Sequence, residues 1–506
     1  MIGRLPSLGS VYIRSIVRSE DNIISNNTIS STTHTLLYME ESGGIVLSGS
    51  GVTGTIIINN TITNYGYGIM LERSSNNTLR GNTMIKNRYH FSVSGVNVSD
   101  FLNDVDVSNT VDGKPIYYWI NKRDIVVPAD AGYVAIINSY NITVKGLQLK
   151  NNGQGILLVN TTSLQIRNNN ITNNKLGIEL FYSSDHNITE NTIINNYNGI
   201  QLFNSSSNAL SKNIITKNSY IGLFLIYSSN NTVAGNTITA NHYCGIGLLH
   251  SYSSTLIGNT ITNNEFGIAI EESSSNILSG NRIANNEYGI NPVRSSNNSI
   301  YTNDIAANEW YGIGLHYSSN NTIAGNNITN NEHGIYLLYN SNNNSIRGNK
   351  VTNNNYGIHL LYSSNNSIYH NNFVNNKCQV YIENSENFWD DGYHSGGNYW
   401  SDYTGVDLFC GPYQNETGSD GIGDTPYVID ENNIDRYPLM NPVSMLDGDI
   451  NLDLKVDYKD LFLLAAAYGS TIGEETYNRQ CDINYDGKIN YKDLFLLAAN
   501  YGQKYK

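Results

Sequence analysis

From about residue 19 onward, runs of Ile, Leu and Val alternate with polar residues for three to six positions and then break at Asn, Ser or Gly. That alternation, with turn residues at each end, predicts brief strands rather than ten-residue helices. A Gly-Ile or Gly-Leu step sets the period: Gly155, Gly177, Gly199, Gly222, Gly245, Gly267, Gly289, Gly312, Gly334 and Gly357 recur every 22 or 23 residues. The series extends back through Val134, His90, Gly68 and Gly44 and forward to Gln379, with a disturbance between about 91 and 132. One unit reads NEWYGIGLHYSSNNTIAGNNITN, from Asn308 to Asn330. So short a unit cannot bury its apolar side alone, but units stacked in register can. Ile178, Ile200, Leu223, Ile246, Ile268 and Ile290 would then form one internal column of a parallel coil. The expectation is a mainly β chain, a solenoid of roughly 15 turns about 70 Å long at a strand spacing of about 4.8 Å.

The same alignment makes Asn236, Asn259, Asn281, Asn303, Asn326, Asn349 and Asn371 a second column. Asn tolerates the left-handed backbone of a tight corner, and stacked carboxamides can bond from turn to turn. This accounts for the Asn content, and it makes sequons such as Asn170-Ile-Thr172 by-products of the repeat. Hydrophobic residues are 39% of the chain and charged ones only 14%, yet abundant Ile, Thr and Tyr separate it from disordered sequences. A net charge of −14 argues against an electrostatic nucleic-acid binder. No apolar run is long enough for a membrane span. Cys244, Cys378, Cys410 and Cys481 are too scattered for a disulfide framework; Cys378 with Cys410 is one pairing, buried thiols the alternative.

With this repeat, the chain resembles right-handed parallel β-helix proteins, the carbohydrate-binding and sugar hydrolase repeats and in particular the NosD-like ones. The non-repeat segments beginning NTVDGKPIYYWINKRD at Asn109 and NFWDDGYHSGGNYWSDY at Asn387 resemble that family's interruption and terminal segment. The organisation expected is a β-helix over residues 1–386, a closing segment over 387–443 and a separate module over 446–503. The NosD name implies copper handling, but no Met- or His-rich cluster stands out. The first turn begins near Ser19 without a polar cap before it, so the natural start is expected upstream, with a signal sequence.

The last sixty residues write one pattern twice: DGDINLDLKVDYKDLFLLAAAYG and, thirty-three positions on, CDINYDGKINYKDLFLLAANYG. Asp482, Asn484, Asp486, Lys488, Asn490 and Asp493 fall at positions 1, 3, 5, 7, 9 and 12 of a calcium loop, Lys488 contributing its carbonyl. Asp449, Asn451, Asp453, Lys455, Asp457 and Asp460 repeat the spacing, with Leu454 where the second copy has Gly487. A non-glycine residue there costs about 1–2 kcal/mol, so the first loop is expected to bind calcium more weakly. Each loop enters an apolar helix that ends at Gly469 or Gly502. The duplicated loop and helix resemble a type I dockerin. That resemblance implies a small α-helical domain with two calcium ions and a cohesin module as partner, with Tyr458-Lys459 and Tyr491-Lys492 as equivalent recognition pairs. It implies an extracellular or cell-surface location.

Candidate chemistry on the coil is thinner. Glu265 and Glu287 fall on adjacent turns, with Glu309 and Glu332 nearby, and a glycosidase needs two carboxyl groups about 5 to 9.5 Å apart. No basic residue joins them on consecutive turns, as a lyase or epimerase would require. Phe181, Phe203, Phe224, Tyr336 and His359 are expected on an outward face, where aromatic rings can lie against a polysaccharide; alternatively the interruption or a neighbouring molecule covers that face. Three functions follow: a tethered, non-catalytic β-helix with a carbohydrate- or protein-binding face; a polysaccharide lyase, hydrolase or epimerase; or a copper-handling protein.

Overall fold

In the computed structural model, described here for all residues except 1, 5–10, 15–18, 32–41, 394, 444–447, 452–454, 472–475, 477, 479–480, 484–487 and 504–506, the chain is mainly β. Contacts divide it into two compact units, residues 1–231 and 232–506.

Each regular turn is built from one six-residue strand and two three-residue strands. In the second unit Phe266–Glu271, Ile277–Ser279 and Arg282–Ala284 make one turn. They pair in parallel with the next, Ile268 over Ile290, Leu278 over Ile300 and Ile283 over Ile305. These six side chains are fully buried. The first unit repeats the scheme, with Ile178 over Ile200 and Ile188 over Leu210. Among the described residues, long strands of the Gly-Ile face number nine in the first unit and seven in the second, about sixteen turns in all. The Gly of each Gly-Ile step is fixed by close approach: a Cβ on Gly267 would lie 2.6 Å from the Gly289 carbonyl oxygen.

The expected Asn column is present, but its backbone is not left-handed. The residue before it takes that role: Gly235, Gly258, Gly280, Gly325 and Gly348 have φ near +60°, and Thr302 and His370 stand at the same corner at +53° and +56°. The column residues themselves are buried rungs. Asn259 donates from its backbone N–H (2.9 Å) and its Nδ2 (3.0 Å) to Asn281 Oδ1, while Asn281 Nδ2 donates to the Leu256 carbonyl at 2.9 Å. A second ladder runs Asn241, Asn264, Asn286, Asn308, Asn331, Asn354 and Asn376, and a third runs Asn276, Asn298, Asn321, Asn344, Asn366 and Asn387. These three corners are thus stacks of hydrogen-bonded amides, which offsets the cost of burying polar turns, and serine hydroxyls form a further ladder from Ser251 through Ser273 and Ser295 to Ser318. His186 replaces an Asn in the first unit's third ladder, accepting the Leu164 N–H on Nδ1 at 2.9 Å.

The interruption in the first unit folds back over the coil. Strands Lys114–Ile120 and Tyr133–Ile137 run parallel to Gln154–Val159, and the short helix Val98–Phe101 brings Phe101 within 5.3 Å of the Phe181 ring. In the second unit the final turn is closed by Trp400, stacked between Phe373 (4.6 Å) and Tyr427 (4.4 Å), with its Nε1 donating to Asp435. All four cysteines are unpaired thiols, so the Cys378–Cys410 bridge is not formed. No helix among the described residues is long and apolar enough to cross a membrane.

Candidate functional site

Three regions gather chemistry. The first is a recess of about 630 Å³ in the first unit, at the corner just before the Gly-Ile step. Asn64, Asn151, Asn173 and Asn195 line it, all but the neighbouring Lys86 being the asparagines usual at this left-handed corner; Lys86 takes φ +55°. Arg88 and Tyr197 complete the rim. The Arg88 guanidinium lies 5.3 Å from the Tyr89 ring centre, and the Lys175 ammonium lies 5.6 Å from that of Tyr67. Behind them Gln154 Nε2 donates to Glu179 at 3.0 Å, and burial raises the Glu179 carboxyl to about 7.

This grouping was missed from sequence because its members are far apart in the chain. The interruption leaves the coil after Ser94, and the strand starting at Gln154 returns against the one starting at Tyr89. Gly153 N donates to the Phe91 carbonyl at 2.9 Å and His90 N to that of Asn151 at 2.6 Å. The available signal was the shared position of Arg88 and Lys175, each two residues before the Gly-Ile position of its turn.

The second region occupies the same corner in the second unit. Glu265, Glu287 and Glu309 line a recess of about 580 Å³ with His242, Asn263 and Asn285. Burial and then Glu287 raise the Glu265 carboxyl above its usual range. On the neighbouring face His333, Tyr336, Tyr356, His359 and Tyr381 pack their rings together, His359 lying 4.4 Å from Tyr336 and 4.6 Å from Tyr381. Nδ1 of His333 and of His359 are 3.4 Å apart, and burial, then the neighbouring imidazole, lower His359 to about 4. Tyr336, His359, Phe203 and Phe224 are each partly exposed. Phe181 is not: it is 6% exposed beneath Phe101, so there the interruption covers the outward apolar face.

The third region is the C-terminal repeat. Helices α1 (Tyr458–Ala467) and α2 (Tyr491–Asn500) begin at Asp457 and Asn490, whose side chains cap them. The two copies exchange backbone bonds: Val456 pairs with Gly502 and Gln503, and Ile489 with Gly469 and Ser470, at 2.7 to 3.0 Å. Each pairing is the other advanced by the thirty-three-residue repeat, so the copies relate by a near twofold axis. Asp449, Asp460, Asp482 and Asp493 are buried, with exposures of 8%, 0%, 1% and 0%. Asp460 accepts from the backbone N–H groups of Ile450, Asn451 and Asp457. Burial, and then Asp493 and Asp460, raise the Cys481 thiol to about 12.

Asp453, Asn484 and Asp486 lie outside the described residues, and among those described no three His, Cys, Asp or Glu side chains form a metal-binding group. Lys455 and Lys488 are exposed, and Asn451 and Asn490 are partly buried. The pairs Tyr458-Lys459 and Tyr491-Lys492 are exposed. The sequence reading overlooked Phe462 and Phe495 beside them, 75% and 70% exposed at equivalent positions. Their signal was the run LFLL, more apolar than one buried helix face can use.

Comparison with known proteins places the coil. The family model for the right handed beta helix region matches residues 8–123 and 132–283, and that for the periplasmic copper-binding protein (NosD) matches 302–405. No curated protein matches the chain. Among solved structures, the A-module of the mannuronan C-5 epimerase AlgE4 from Azotobacter vinelandii is 16% identical with a TM-score of 0.39, covering 68% of this chain and 98% of that one. A DFA-IIIase from Arthrobacter chlorophenolicus A6 in complex with GF2 is 14% identical with a TM-score of 0.32, covering 46% and 60%. At this distance these two carry nothing about activity. The first family model spans more than half of the sequence, and the chain belongs to the right-handed β-helix family.

Proposed function

We propose that this chain is a tethered β-helix: its C-terminal repeat takes two calcium ions and docks a cohesin module of a surface scaffold, while the coil presents a saccharide-binding surface outside the cell. The observation that carries the tether is the reciprocal backbone exchange of Val456 and Ile489, which makes two loop-helix copies one symmetric module. Two further facts support it. Buried Asp449, Asp460, Asp482 and Asp493 stand at the loop ends, and their oxygens, with those of Asn451, Asp453, Asp457, Asn484, Asp486 and Asn490 and the carbonyls of Lys455 and Lys488, are the ligand type that suits a hard ion. Outside, Tyr458, Lys459 and Phe462 on α1 match Tyr491, Lys492 and Phe495 on α2, giving two equivalent aromatic faces. Calcium would staple a domain whose own core is only about nine apolar side chains.

Calorimetric titration of the whole chain with calcium tests this. Two binding events are expected, with one lost in Asp460→Asn and the other in Asp493→Asn, and cohesin capture that chelator abolishes. Absence of any calcium binding would overturn the tether.

A second reading is favoured by one distance. Nδ1 of His333 and of His359 stand 3.4 Å apart within the segment matched by the copper-binding family model, and imidazole is a ligand that suits copper. Copper retained after dialysis, and lost in His359→Ala, would establish a copper-handling role; no retention would remove it.

A further inference from the structure

We infer that the recess of Lys86 and Arg88 binds anionic saccharide units, sugars carrying a carboxylate, in preference to neutral ones. This deepens the saccharide part of the proposed function and rests on it. The chain carries 43 acidic and 29 basic residues, yet among the described residues lining this recess are one Lys, one Arg and no Asp or Glu. Its volume of about 630 Å³ lies inside the ~300–1,000 Å³ range of small-ligand sites.

The lining divides by chemistry as a sugar acid requires. The carboxamides of Asn64, Asn151, Asn173 and Asn195 can both donate to and accept from hydroxyl groups. Tyr197 is exposed and offers a ring face, stacked on Tyr220 at 5.3 Å, while Tyr89 is buried beneath Arg88. Arg88 and Lys86 supply the charge: a guanidinium matches a carboxylate in a two-pronged fashion, and an ammonium adds a second donor.

Lys86 holds the left-handed corner at φ +55°, as Lys217 does at the equivalent corner further along the first unit, while Asn64, Asn151, Asn173 and Asn195 take it on other turns. Lys175 lies against Tyr67 beside the rim, and Lys150 is close enough to influence His90. Of the nearby carboxylates, Asp112 is 3.1 Å from His90 Nε2 and Glu179 takes its hydrogen bond from Gln154. Asp112 also accepts the Lys86 backbone N–H at 3.5 Å, so one carboxylate stands beside the recess, while the lining itself brings the Lys86 and Arg88 side chains.

The test is calorimetric titration of the full chain with hexagalacturonate and with neutral galactohexaose, for wild type and for Lys86→Gln/Arg88→Gln, with far-UV dichroism and melting as a folding control. The expected result is binding of the acidic oligomer at least about tenfold tighter than the neutral one, that advantage disappearing in the folded double variant. Equal binding of both oligomers, or an acidic preference untouched by the double variant, overturns the inference while the saccharide-binding reading stands. Binding of neither overturns both, and tightening in the variant would show that the two charges repel the ligand.

Discussion

The recess of the first unit and that of the second occupy the same corner of the repeat and differ in the sign of their charged residues. Lys86 and Arg88 line one; Glu265, Glu287 and Glu309 line the other. Beneath both, the chain is held by the same things, aliphatic columns and Asn rungs with exposures near zero. The frame therefore fixes where corner side chains stand without dictating what they are, and chemistry can be exchanged at the corner at little structural cost.

Breaking the frame should have the largest effect. Asn281→Ala strips Asn259 of the acceptor for two donors and leaves the Leu256 and Asn303 groups short of a partner, for a loss of about 4 kcal/mol in urea unfolding, whereas Glu287→Gln at the corner should change stability by less than about 0.5 kcal/mol. Acid acts on the frame through His186. Burial lowers its imidazole to about 4, against about 6.5 in an unfolded chain. The unfolded state takes up the proton first, so the stabilisation is complete above about pH 6.5 and drains away as pH falls towards 4. The total is of order 3 kcal/mol, and His186→Asn, which restores the amide rung, should remove that part of the pH dependence of the urea midpoint. Gly267→Ala forces a Cβ to within 2.6 Å of the Gly289 carbonyl and 2.8 Å of Ile283 Cγ2 and should cost about 2 kcal/mol. The smallest effect is the sharpest: Lys86→Asn relieves a left-handed lysine and should stabilise the fold by about 0.5–1 kcal/mol while weakening hexagalacturonate binding.

The period was legible because every turn repeats the same demand, an Ile inside and a Gly where two backbones approach. The Asn column was legible too, but its backbone was misassigned: the left-handed residue is the Gly before the Asn, and only the ladder geometry distinguishes a corner that needs φ above zero from one that needs a buried amide. The first-unit recess was hidden because the interruption places Tyr89 and Gln154 side by side, a contact no period reveals. The same interruption buried Phe181, which alternation alone put on the outside. In the C-terminal repeat the copies were plain from sequence, whereas their exchange, with Val456 and Ile489 each bonding beyond the other copy's helix, is a property of the folded pair.

The most direct test of the idea that frame and corner are separable is to measure urea unfolding and hexagalacturonate binding side by side for Lys86→Glu/Arg88→Glu and for Glu265→Gln/Glu287→Gln. The account predicts that both variants unfold within about 1 kcal/mol of wild type and that only the first loses the acidic oligosaccharide. It would be contradicted if either variant failed to fold, or if the second lost binding as completely as the first.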